Sequence, residues 1–274
     1  MARNLFYPRA GHPEVAMNES APAASRAITA ELAGRITAID TSAIHADVIA
    51  VSKRLIADGI AVAMAGSCEA APHIAAEHVR EMACREAASA WGFGFKTTAQ
   101  QAAYLNAISM HVLDFEPMSN PPTHAVSPTV PSAFALGEAI GASGREIVAA
   151  CAKGFEMQGR ILLAGRLERG KLKFHTPGVV GVMGATVAAA HLLKLDTSQL
   201  ASALGIAASR CSGVSANTGS MVKCTHCGNA AASGVDAALL AQRGFTANPA
   251  IFEARAGYVA TFFDAGFEIG RAHV

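Results

Sequence analysis

KFHTPGVVGVMGATVAAAHLLKLDTSQLASALGIAASRCSGVSANTGSMVKCTHCGNAAA, residues 173–232, is an apolar stretch of small side chains with a titratable group near each end. His175 stands close to its start and Lys223 close to its finish. Gly178, Gly181 and Gly184 recur every third residue before an alanine-rich run, a spacing that suits backbones packed closely together. The periodicity predicts two helices here, one over about Gly184–Leu193 and one capped by Asp196 or Thr197 and lined by Leu200, Leu204 and Ala207. A dry, tightly packed setting strengthens the attraction of lysine and histidine for anions and shifts their pKa values, which makes the edges of the stretch candidates for chemistry.

Outward from this block the apolar period remains helical. Ile28, Leu32 and Ile36 predict a first helix with Ser25 as its N-cap. A second runs from about Ser42, with Val48, Val51, Leu55 and Ile60 on or near one face and Gly66 as its stop. Pro72 opens a third, which reaches about Ala90 and closes in the glycine-broken loop WGFGF at residues 91–95. A fourth begins at Thr97 or Thr98, turns Ala102, Leu105, Ser109 and Val112 inward, and must end before Pro117. Asp114 therefore falls at or just past a helix end. The segment from Glu116 to Pro131 carries further prolines and His124 and reads as a rigid irregular loop, with Pro131 starting the next helix. Ile147, Cys151 and Phe155 form the stripe of another helix, and a last one spans about Asn229–Gln242. No alternating strand of useful length interrupts this succession, so the expected fold class is all-α. Residues 1–23 read as a flexible arm and 24–267 as the helical domain.

Composition narrows the functional classes. Of 274 residues, 51% are hydrophobic and 16% charged, which predicts an extensive buried core. A formal net charge of +1 and the lack of any Lys/Arg run argue against a nucleic-acid partner. The apolar stretch Val179–Ala190 is too short to span a bilayer, and no secretory pattern is seen, so a cytoplasmic location is expected. Six scattered cysteines fit reduced thiols better than a disulfide framework. In CTHC, residues 224–227, a structural zinc would need a second ligand pair and a thioredoxin-like centre would need a strand before a helix; packing is the preferred role. The glycines lack both G-x-G-x-x-G and Gly-Lys-Ser/Thr, so they do not form a nucleotide loop.

Four titratable residues lie in or beside irregular segments, where rigid scaffolds commonly present catalytic groups: Asp114, His124, His175 and Lys223. Taken singly, each also fits a bland role, as a helix-end acid, a satisfied loop histidine or a surface charge.

In combination they point further. AYLNAISMHVLDF at 103–115, the Pro-rich loop with His124, KFHTPGVVGVMGA at 173–185, LDTSQLASALGIAAS at 195–209 and GSMVKCTHCGNAAASGVDAALLAQRGF at 219–245 together resemble the MmgE/PrpD family. That family includes 2-methylcitrate dehydratase, cis-aconitate decarboxylase and iminodisuccinate epimerase. The resemblance implies a cofactor-free, metal-free lyase of small di- or tricarboxylates, or alternatively an epimerase of an amino- or imino-dicarboxylate, in a homodimer. A non-catalytic helical dimerisation module is the reading from another class. The resemblance also assigns the catalytic roles: Asp114 is the acid of the LDF motif, His124 the loop histidine, His175 that of the Phe-His motif, and Lys223 the lysine before the last helix, with His226 a substrate-binding group. It implies a smaller α+β lid followed by a return to the helical domain. Neither matches this sequence, so a C-terminally truncated, inactive chain is expected, with EIGRAHV at 268–274 as a non-native tail. Three local departures stand out: Glu116-Pro117 where many members have Asp-Asp, Thr176-Pro177 where Pro-Thr is common, and cysteines at 224 and 227 where Leu and Ala are usual.

Overall fold

The computed structural model describes residues 27–165, 173–263 and 267. The expected arm, the Ser25 cap and the 268–274 tail lie outside them. The helices are α1 (Ile28–Ala38), α2 (Ala46–Gly66), α3 (Ala70–Glu81), α4 (Ala99–His111), α5 (Val126–Ile140), α6 (Gly144–Gly165), α7 (Val182–Leu192), α8 (Thr197–Ala208), α9 (Val222–Gln242) and α10 (Tyr258–Phe262). The all-α class stands. Thr98 caps α4 by accepting from Gln101 N–H, and Asp196 with Gln199 forms a capping box on α8, each cap contributing about 1 kcal/mol.

The core lies where α4, α5, α7 and α9 meet. Every residue of α7 except His191 is buried, which is why its apolar residues show no single face: a helix surrounded on all sides needs none. Small residues make the close approach possible. A Cβ at Gly184 would sit 2.4 Å from the Gln158 amide of α6, and one at Gly181 2.7 Å from Pro128 of α5. All six cysteines are free thiols. Among the described residues no helix is long and apolar enough to cross a membrane.

Three local expectations are corrected. The third helix ends at Glu81, and Ala88–Ala90 (β1) pairs antiparallel with Phe95–Thr97 (β2), so WGFGF is mostly the turn of a hairpin. Strands of three residues are too short to show alternation. Buried Asn106 secures the hairpin from α4 by accepting from Trp91 N–H (2.8 Å) and donating to Ser89 O (3.0 Å). Pro131 lies inside α5, which starts at Val126. So near the N-terminus, a proline deprives only the Ser127 carbonyl of its ladder partner. The last long helix starts at Val222, so Lys223, Cys224, His226 and Cys227 occupy its first turns.

His191, at the end of α7, lines a 380 Å³ cavity with Lys153 and Asp40. Burial, then the charge of Lys153, pushes its pKa down from 6.5 to about 4, while Glu146 pulls the other way. A folded pKa below the unfolded one means that the unfolded chain takes up the proton first as the pH falls, so stability drops between those two values. The thermal midpoint is therefore expected to fall on moving from about pH 7 to about pH 5, and to fall less in His191→Gln. Equal slopes in both proteins would exclude His191 as a source of the acid sensitivity.

Candidate active site

The two ends of the 173–232 stretch are fastened together. His175 N–H donates to Gly213 O (2.7 Å), Ser212 N–H to Gly178 O (3.1 Å) and Ser215 N–H to Lys173 O (3.1 Å). Immediately after His175 the backbone makes a π-helical turn, Pro177–Gly181, that runs straight into α7. Its wider ring leaves carbonyls in need of outside donors. Val179 O is satisfied by the Tyr258 hydroxyl at 3.0 Å. Gly178 is required here, because a Cβ would stand 2.0 Å from Ser212 O.

On the facing side, α4 ends at His111 and the chain passes through Asp114 with φ 59°, a left-handed conformation that an aspartate tolerates better than most residues. This bend turns the Asp114 carboxylate toward Lys223: Nζ lies 2.7 Å from Oδ1, and His124 Nε2 lies 3.3 Å from the same oxygen. Glu116, with its side chain fully buried, pairs through Oε1 with His111 Nδ1 and accepts from the Ser127 hydroxyl. His124 Nδ1 is 3.2 Å from that oxygen without hydrogen-bond alignment. Behind this layer the His175 ring stacks against His111 at 5.3 Å, and His175 Nδ1 lies 3.2 Å from His226 Nδ1. Asp114, His124, His175, Lys223 and His226 thus form one connected cluster, with His226 touching His175.

Electrostatics set the protonation of the cluster. Burial works to raise the pKa of Asp114, but the hydrogen bond and charge of Lys223, with His124 and His111, hold it below its ordinary value. Burial likewise opposes ionisation of Glu116, and His111 and His124 beside it prevail, keeping it well below the usual carboxylate range. His175 is pushed down from 6.5 to about 3, first by burial and then by His111, Lys223 and the other imidazoles. His226 is lowered for the same reasons. Burial raises the Cys224 thiol to about 11 and pushes the Cys227 thiol well above its ordinary value, so both are protonated.

A cavity of 500 Å³ opens beside the cluster, lined by His111, Asp114, Lys223, Cys224 and the loop Thr218–Met221. Glu69, Ala70 and Ala71, at the start of α3, line it as well. Two helix N-termini, those of α3 and α9, therefore face the same space as the Lys223 ammonium, and each carries the positive end of a helix dipole.

Sequence reasoning missed His111, Glu116 and the α3 terminus. The signals were small but present: His111 precedes Asp114 by three residues, at the end of the helix that the proline stops, and Glu116 occupies the place of the first acid in the Asp-Asp pair. His111, His124 and His175, and separately His111, Asp114, Glu116 and His124, bring potential metal-ligand atoms within 4.8 Å of one another.

Comparison with known proteins follows the same lines. The family model for the MmgE/PrpD N-terminal domain matches residues 30–269. Human cis-aconitate decarboxylase is 31% identical over 243 residues, covering 86% of this chain and 50% of the relative. The mouse cis-aconitate decarboxylase is 30% identical over 243 residues, with coverage of 86% and 50%. Cis-aconitate decarboxylase-like protein oryM of Aspergillus oryzae is 31% identical over 252 residues, with coverage of 87% and 52%. The chain spans about half the length of these curated relatives.

Proposed function

Because the chain belongs to the MmgE/PrpD family, we propose that it supplies the acid-binding and proton-transfer half of a lyase acting on a small di- or tricarboxylate. The observation that carries this reading is the 500 Å³ cavity, lined by Lys223, two helix N-termini, Asp114 and His111, with His124 3.3 Å from Asp114. A polycarboxylate needs that cationic wall, and the chemistry needs a proton carrier beside it. The names of the relatives favour decarboxylation of cis-aconitate or a close analogue.

In this reading Lys223 takes one substrate carboxylate in charge-assisted hydrogen bonds, exchanging its Asp114 partner for the ligand. The helix ends hold another. When a carbon–carbon bond to a carboxylate breaks, the electron pair remains on the adjacent carbon and carbon dioxide leaves; a proton must then reach that carbon. His175 carries it. Unprotonated in the resting cleft, it takes up a proton from solvent when the anionic substrate binds and offsets the effect of Lys223, and it gives that proton to the carbon as carbon dioxide leaves. Asp114, Glu116 and His111 orient His124 within the cluster. No cofactor enters these steps. The working form is a homodimer in the cytoplasm, and its partner is the small acid itself.

The test is binding and turnover with cis-aconitate, 2-methylcitrate and a racemisable amino-dicarboxylate in the presence of a chelator. It uses both this chain and any longer protein that contains it. Carbon dioxide release or a new olefin is expected. Solvent-deuterium incorporation at carbon with neither product assigns an epimerase instead, and no binding of any acid leaves the dimerisation module.

A further inference from the structure

We infer that His111, His124, Asp114 and Glu116 form a binding site for a divalent first-row transition metal of the Zn²⁺ class, occupied in competition with Lys223 and hence with a carboxylate substrate. The donor set is the argument. Imidazole nitrogen and carboxylate oxygen are the ligands that Zn²⁺, Co²⁺ and Ni²⁺ share, and here two of each converge with their ligand atoms within 4.8 Å. Around a tetrahedral ion with bonds of about 2.0–2.1 Å, neighbouring donors stand roughly 3.4 Å apart, so side-chain rotations that change donor separations by up to about 1.4 Å close the set. His175 extends it, since its ligand atom lies within the same 4.8 Å of His111 and His124. Ring centroids of His111 and His124 are 4.6 Å apart, and those of His111 and His175 5.3 Å, compatible with neighbouring imidazoles on one ion.

Two further observations point to a cation. Inside the cluster three buried polar atoms have no hydrogen-bond partner among the described residues: Glu116 Oε2, His124 Nδ1 and His111 Nε2. An unpaired carboxylate oxygen on a side chain with no exposure is costly, and a coordinated cation removes that cost. Pairing agrees. Among the described residues the one ammonium near these carboxylates, Lys223, lies 2.7 Å from Asp114, while Glu116 meets imidazoles and the Ser127 hydroxyl and has no fixed cation beside it. Lys223 is then the natural competitor: a metal that takes Asp114 displaces it, and the cavity loses the side chain that would bind substrate. Metal uptake would therefore act as a brake on turnover.

Co²⁺ titration of the chelator-treated chain tests the inference. The expected result is saturable uptake of one equivalent, with the visible ligand-field bands of nitrogen- and oxygen-bound Co²⁺ and displacement by Zn²⁺. His111→Ala abolishes it. Lys223→Gln, which removes the competing charge, tightens it about tenfold, corresponding to about 1.4 kcal/mol. Because that variant gains affinity, misfolding cannot imitate it. Absence of saturable uptake, uptake unchanged in His111→Ala, weaker uptake in Lys223→Gln, or thiolate-to-cobalt charge-transfer bands that disappear in Cys224→Ser would each overturn the site. The braking effect alone rests on the proposed lyase reading: inhibition by Zn²⁺ supports both, uptake without inhibition counts against the place given to Lys223 in that reading, and turnover without uptake counts against the metal site only.

Discussion

If the chain serves the lyase proposed above, Lys223→Ala lowers kcat/KM on a small polycarboxylate by roughly 10²–10³-fold while leaving the far-ultraviolet circular dichroism unchanged. The asymmetry follows from where the ammonium sits. The Lys223 side chain is 18% exposed and pairs with Asp114, half of whose side chain meets solvent. Removing the lysine returns Asp114 to water rather than leaving a charge sealed in the core, so folding loses little. Substrate binding loses the one full positive charge that the described residues lining the cavity supply, and with it the group that gathers a carboxylate. Asp114 also loses the strongest influence holding its pKa down, so it titrates nearer its ordinary value, and the acid limb of the pH–rate profile shifts to higher pH. Steady-state kinetics across pH, with dichroism on the same samples, measures all three effects. Unchanged kinetics would make Lys223 a surface residue.

Gly178→Ala has the largest expected effect on stability, a loss of about 3 kcal/mol. Its added methyl meets Ser212 O at 2.0 Å, and a backbone carbonyl cannot turn aside as the end of a long side chain can. The clash also pries apart the Gly178–Ser212 hydrogen bond, which fastens His175 to the approach of α9. Gly159→Ala in α6 is the matched control, since nothing among the described residues lies within 4 Å of the place its methyl would take, and helix propensity there should add roughly 0.5–1 kcal/mol. Urea denaturation of both variants decides: similar midpoints would mean that the two segments are not rigidly joined.

Most of the fold was legible because its signals are local. Thr98 and Asp196 announce helix starts through their own side chains, and the stripe Leu200, Leu204 and Ala207 marks α8; in α2 the helix was legible but its face was not, since Val48 and Val51 are exposed and Ser52, Ile56, Gly59 and Ala63 are buried. The hairpin was hidden because its support comes from Asn106, on another helix. The early start of α9 was masked by a run with little amphipathic pattern, KCTHCG, whose residues are buried on several sides. At the site, the residue types and order that resemble the family singled out Asp114, His124, His175 and Lys223, and the structure brings these side chains together. Glu116 stood out only as a departure from the Asp-Asp pair and not as a site residue, since its importance is spatial: it becomes conspicuous only when both histidines and Ser127 are seen around one oxygen.

The π-helical turn at Pro177–Gly181 has an evolutionary consequence. A widened turn holds one residue more than an α-helix would over the same rise, and deleting it rotates everything before it by about 100° relative to α7. The buried helix could remain in place, because its own packing lies downstream. His175 would swing away from His111 and His226, and the imidazole cluster would be broken without any substitution at a titratable position. Gain or loss of a single codon in this turn is thus a short mutational route to a chain of the same shape in which these rings no longer meet.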